Sequence, residues 1–89
     1  MTSKISADPI VTLAKELEQD LLALYGPTMF GKNLHNALGY GSGDAFRQAV
    51  SRKTVPIKVF PIEKRKGKFA LTKDVAYWLA KQRCESVDK

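Results

Sequence analysis

The stretch Lys32–Val55, KNLHNALGYGSGDAFRQAVSRKTV, decides the fold. It reads as two short helices joined by a tight turn. Leu34, Ala37 and Leu38 give the first helix an apolar face. Gly39, Gly41 and Gly43 then fall within five residues, a density that one continuous helix does not tolerate cheaply. Ala45, Phe46, Ala49 and Val50 restart the helical pattern at i, i+1, i+4, i+5. The second helix therefore turns Arg47, Gln48, Ser51 and Arg52 outward, side chains chemically suited to base edges and phosphates.

Charge supports the same direction by its distribution. In residues 1–26 two lysines stand against four acids and leave −2; in 27–83 twelve Lys or Arg stand against three acids and leave +9; 84–89 leave −1, and the whole is +6. A basic body behind an acidic leader is the electrostatic footprint expected of a nucleic-acid binder. Eighty-nine residues make one domain with a modest core, so stability is expected to be marginal unless the chain dimerises. Neither a signal peptide nor an apolar run near the ~18 residues of a membrane span is found. The one cysteine, Cys84, cannot make an intrachain disulfide, and the cytoplasm is the expected compartment.

Three parts are expected: an N-terminal helix in 1–26, a DNA-binding body in 27–83 and a polar tail in 84–89. Met1 to Ala7 is polar and expected to fray. Asp8-Pro9 starts a helix well, Asp8 as N-cap and Pro9 at the first helical position, where no amide donor is needed. That helix should stop before Gly26-Pro27. Ile10, Ala14, Leu17, Leu21 and Leu24 recur at steps of 4, 3, 4, 3, a stripe that packs one helix along another. The stripe has two readings, a cover for the small basic domain and a homodimer interface, and its breadth allows both.

Thr28 to Phe30 reads as an extended lead-in. His35 has no second His, Cys or acid at ligand spacing, so no metal site is expected. GYGSG lacks the Lys-Ser/Thr ending of a phosphate-binding loop and follows no strand, so a turn between helices explains it better. Ser42 or Asp44 should cap the second helix, which must end before Pro56. Lys58-Val59-Phe60 and Phe69-Ala70-Leu71 read as paired strands of a hairpin, with Gly67 in the turn and Lys64, Arg65, Lys66 and Lys68 at its tip. Four cations in five residues repel one another unless a polyanion lies opposite. Thr72 should cap the last helix, with Asp74 in its first turn; Val75, Ala76, Trp78 and Leu79 should form its inner face.

In this order the elements resemble the excisionase/AlpA-type winged helix-turn-helix domains, relatives of the MerR DNA-binding domain. Leu34-His35-Asn36-Ala37-Leu38-Gly39 looks like the end of the family's first helix, and Phe46-Arg47-Gln48-Ala49-Val50 like its recognition helix. Val55-Pro56 with the basic Lys58–Lys68 hairpin looks like its wing, and Asp74-Val75-Ala76-Tyr77-Trp78-Leu79 like its closing helix. The resemblance covers residues 29–83. There are departures: Lys53 stands where the family usually has Gly, Phe30-Gly31 replaces a Thr-apolar start, and the turn Tyr40–Gly43 is one residue longer.

The expectation is thus a mainly α fold with a small β-hairpin wing, a winged helix-turn-helix with an extra N-terminal helix. The resemblance implies a small regulator of a plasmid, phage or integrated element, binding double-stranded DNA. Arg47, Gln48 and Arg52 would read bases, with Ser51 and Ser42 as shorter readers. Lys32, Lys53, Lys58, Lys64, Arg65, Lys66 and Lys68 would neutralise phosphates. Ile10, Ala14, Leu17, Leu21 and Leu24 would join two copies on a palindromic operator. A repressor is the first expectation and a recombination directionality factor the alternative. An RNA-binding module would place aromatics on a sheet for base stacking, whereas here they fall mainly on helices or at strand ends. A protein adaptor would explain the leader but not the +9 body. No catalytic set of side chains is evident, so an enzyme is not expected, and neither is a cofactor or a small-molecule ligand.

Overall fold

The computed structural model describes residues 8–85. The expectations for Met1–Ala7, and for 86–89 of the tail, lie outside the described residues. The chain is mainly helical. Helix α1 spans Pro9–Tyr25, strand β1 Thr28–Phe30, helix α2 Gly31–Ala37, helix α3 Gly43–Arg52, strand β2 Phe69–Leu71 and helix α4 Thr72–Glu85.

Helix α1 begins as its sequence dictates. The Asp8 carboxylate accepts from the Ile10 amide at 2.9 Å, and Pro9 takes the first helical position. The helix stops at Gly26, whose amide donates back to the Leu22 carbonyl. α1 lies along α4, the most extensive contact between elements in the molecule. Small side chains, Ala14 on α1 and Ala76 and Ala80 on α4, are buried and let helices approach closely.

Both helices of the helix-turn-helix end in the same way. At the end of α2, the Tyr40 amide donates to the His35 carbonyl and the Gly39 amide to Asn36. At the end of α3, the Thr54 amide donates to the Ala49 carbonyl and the Lys53 amide to Val50. These paired bonds satisfy carbonyls that the last helical turn leaves open, and they require a left-handed residue after the helix. Gly39 provides it with φ 88°, and Lys53 with φ 60°. Of the three glycines in the turn only Gly39 has positive φ; Gly43 is already the first residue of α3.

The expected hairpin is corrected in its pairing. The principal partner of Phe69–Leu71 is Thr28–Phe30, antiparallel, with Met29 opposite Ala70. Lys58-Val59-Phe60 contributes a single bridge, in which Phe60 and Phe69 exchange two backbone hydrogen bonds of 2.8 Å. Pro56 and Pro61 bracket that segment and fix φ near its ends, which leaves a very short run for strand pairing. The loop beyond, 61–68, is the wing. Its turn is closed by the Arg65 amide on the Ile62 carbonyl, with Lys64 at φ 64° and Gly67 at φ 91°.

Thr72 does not serve as the cap of α4. It is fully buried, its hydroxyl donates to the Gly26 carbonyl at 2.6 Å, and its amide donates to the Pro27 carbonyl at 2.9 Å. It ties the start of α4 to the end of α1, which is why a polar residue sits in the interior at no unpaired cost. The core gathers Met29, Leu34, Leu38, Phe46, Ala70 and Val75, with Trp78 and Leu79 packed against it. Trp78 is half-buried and packs against this core from the apolar stripe of α4.

Candidate nucleic-acid interface

Helix α3 presents the site. The Ser42 hydroxyl accepts from the Ala45 amide at 3.1 Å and caps the helix. Phe46 and Ala49 turn inward. Phe46 packs edge-on against Tyr40, with ring centres 5.7 Å apart, and lies 6.5 Å from His35. That anchored inner face leaves Arg47, Gln48, Ser51 and Arg52 exposed on the outer one.

Between α3 and the wing runs an open cleft of about 610 Å³. Arg47 and Ser51 line it from α3, Lys32 from the first turn of α2, and Lys66, Gly67 and Lys68 from the wing. The floor is apolar: Phe30, Phe46 and Val50, with His35 beside them. A smaller groove of about 330 Å³, which shares Val50 and Lys68 with the first, is lined by Lys53 and Lys58. Seven of the expected residues therefore border two adjoining grooves. Gln48, Arg52, Ser42, Lys64 and Arg65 are exposed but border neither. The Arg65 guanidinium donates to the Lys64 carbonyl at 3.3 Å, within the wing turn itself.

Among the described residues the one ion pair is Arg47 with Asp44, one helical turn apart on α3. Lys32, Lys66 and Lys68 have no carboxylate partner there. Three like charges around one cleft raise a positive potential that low-dielectric walls focus.

Two features escaped the sequence reading. Phe30 is 57% exposed although its ring lies 5.1 Å from that of Phe69. Its signal was the Phe30-Gly31 pair at the start of α2: the helix has no side-chain N-cap, and an aromatic ring lines the cleft there instead. Asp44 is the other. Its i, i+3 spacing to Arg47 was visible but was weighed only as a helix cap.

The stripe offered as a dimer face is largely taken up within the chain. Ala14 is buried, Ile10, Leu17 and Leu21 are half-buried, and only Leu24 stands out, 71% exposed. No group of three His, Cys, Asp or Glu able to hold a metal occurs among the described residues. No helix among them is long and apolar enough to cross a membrane. Comparison of the chain with family models, curated proteins and solved structures gives no match in any of the three.

Proposed function

We propose that this protein is a sequence-specific regulator that binds double-stranded DNA, of the excisionase/AlpA-type winged helix-turn-helix kind, and acts as a repressor. The observation that carries the reading is the common cleft: outward residues of α3, Lys32 of α2 and the wing lysines border one groove. α3 enters the major groove, and the wing follows the adjacent backbone. Arg47 reads guanine through O6 and N7; Ser51 beside it is a shorter reader. Gln48 and Arg52 extend the contact along the exposed face. Lys32, Lys66 and Lys68 hold phosphates from the larger groove and Lys53 and Lys58 from the smaller one. A repressor then needs only to occupy its operator and exclude polymerase.

The apolar floor fits a strand whose deoxyribose lies on Phe30 while its phosphates meet the rim. Phe30 is also the feature an RNA binder would use, so the test carries an RNA arm. Duplexes are selected from a random pool, then competed against structured RNA and random duplex. The expected result is an enriched motif and a preference for duplex. Enrichment of no motif, or capture by RNA, would contradict the assignment. Within the selected site, Arg47→Ala should remove about 1–3 kcal/mol of discrimination at one base pair.

A second reading, a recombination directionality factor, draws support from the partial burial of the proposed dimer stripe. With Ala14 buried and Ile10, Leu17 and Leu21 half-buried, a preformed homodimer through α1 has less of that stripe to use. Sedimentation without DNA separates the two: a dimer favours the palindromic repressor, and a clean monomer at high micromolar concentration favours the directionality factor.

A further inference from the structure

The cationic surface contains one acid on its reading helix, and that acid is bonded to the principal reader. Asp44 and Arg47 are both well exposed, with side-chain exposures of 80% and 73%. A surface pair of this kind contributes little to stability, because water screens it and two side chains must be held still. A carboxylate also repels the phosphates this face is proposed to meet. Its place in the first turn of α3 suits the positive end of the helix, but that alone does not account for its bond to Arg47.

We infer that Asp44 is a positioning residue that sets the sequence selectivity of Arg47 by neutralising its charge while leaving its hydrogen-bond donors in place. The inference rests on the duplex-reading proposal above. A guanidinium has five N–H donors, and the structure shows one of its nitrogens, Nη2, engaged on Asp44 Oδ1. Enough donors remain for the two acceptors of guanine. The second nitrogen, Nη1, passes over Gly43: a Cβ there would lie 3.3 Å from it. The guanidinium is thus folded against the first turn of α3, with Gly43 giving it room and Asp44 holding it. It also lines the cleft shared with the wing.

The two kinds of DNA contact respond differently to that arrangement. A phosphate attracts arginine through net charge, which Asp44 cancels locally. Guanine O6 and N7 are neutral acceptors and need only directed donors, which the pair retains and holds ready. Asp44 therefore weakens random binding more than specific binding, and the ratio between them grows.

The test uses the selected duplex, the same duplex with each base pair changed in turn, and random duplex, titrated over a salt series. Asp44→Ala should raise affinity for random duplex severalfold. It should steepen the salt slope by up to about 0.9, the value of one further phosphate contact. Discrimination at the base pair read by Arg47 should fall about tenfold, a change of roughly 1.4 kcal/mol. Asp44→Glu should restore most of the ratio. In an Arg47→Ala background, Asp44→Ala should leave discrimination unchanged. Equal loss of specific and random affinity in D44A would mean a merely structural role and overturn the inference. So would an unchanged ratio, and so would the same gain in random affinity with and without Arg47, which would mark a diffuse charge effect. If the wild-type protein bound no duplex at all, the proposed function would fall and this inference with it; selective wild-type binding with an unaltered D44A ratio sinks the inference alone.

Discussion

The ends of α2 and α3 solve one geometric problem with different residues. Each helix closes with the same pair of backbone bonds, and each needs a left-handed residue to make them. α2 uses Gly39, which has no Cβ to clash; α3 uses Lys53, which has one. The first end lies in the turn before α3. The second borders the groove that also holds Lys58 and Lys68. The contrast suggests a trade: backbone ease where only geometry matters, and a strained cation where the surface is proposed to meet phosphate.

That contrast can be broken most forcefully at Gly39. A Cβ there would meet nothing within 4 Å, so Gly39→Ala isolates backbone strain from steric clash. It should destabilise the fold by roughly 1–2 kcal/mol, the cost of a left-handed L-residue, read by denaturant titration. A change near zero would mean that α2 can end otherwise and that the shared motif is incidental.

Lys53→Gly should act in the opposite direction. Relief of the left-handed strain outweighs the extra freedom of the unfolded glycine chain only slightly, so a gain on the order of 0.5 kcal/mol is expected. Lys53→Asn tolerates the same backbone and also lacks the charge. Both variants should lose duplex affinity and flatten the salt slope by up to about 0.9. Unchanged binding in both would remove the reason given for keeping a lysine there.

Lys66→Ala sharpens the comparison from the side of charge without strain. Lys66 is exposed and has no positive φ. Its removal should change stability by no more than about 0.5 kcal/mol. Affinity for every duplex should fall alike, with a flatter salt slope. Loss of affinity confined to one sequence would give Lys66 a reading role instead.

What could be read from the chain follows the range of the interactions. Caps and stops are local: Asp8-Pro9, Ser42 and Gly26 marked helix ends nearly to the residue, and α3 ends at Arg52, before Pro56 as expected. The periodicity of α1 announced a packing face but not its partner, because α4 begins 47 residues after Tyr25 and nothing in the stripe points to it. The pairing of Thr28–Phe30 with Phe69–Leu71 was hidden for the same reason: an adjacent hairpin is visible in sequence, a strand recruited from across the domain is not. Thr72 looked like a cap because threonine is an N-cap residue type and Asp74 follows in the first turn, yet its hydroxyl donates to the Gly26 carbonyl. Within the candidate site, the outward set on α3 was legible from the inward one. Which of those residues share a cleft with the wing depended on how the 61–68 loop folds back, and that lies beyond any local pattern.

The central claim is that duplex DNA lies across α3 and the wing and leaves α1 clear. Amide chemical-shift mapping of the labelled protein on addition of a selected duplex tests it most directly. The account predicts large shifts at Lys32, Arg47, Ser51, Lys66 and Lys68, and small ones at Glu16 and Asp20 on the acidic outer side of α1. Shifts concentrated on α1 and α4, with the cleft undisturbed, would contradict it.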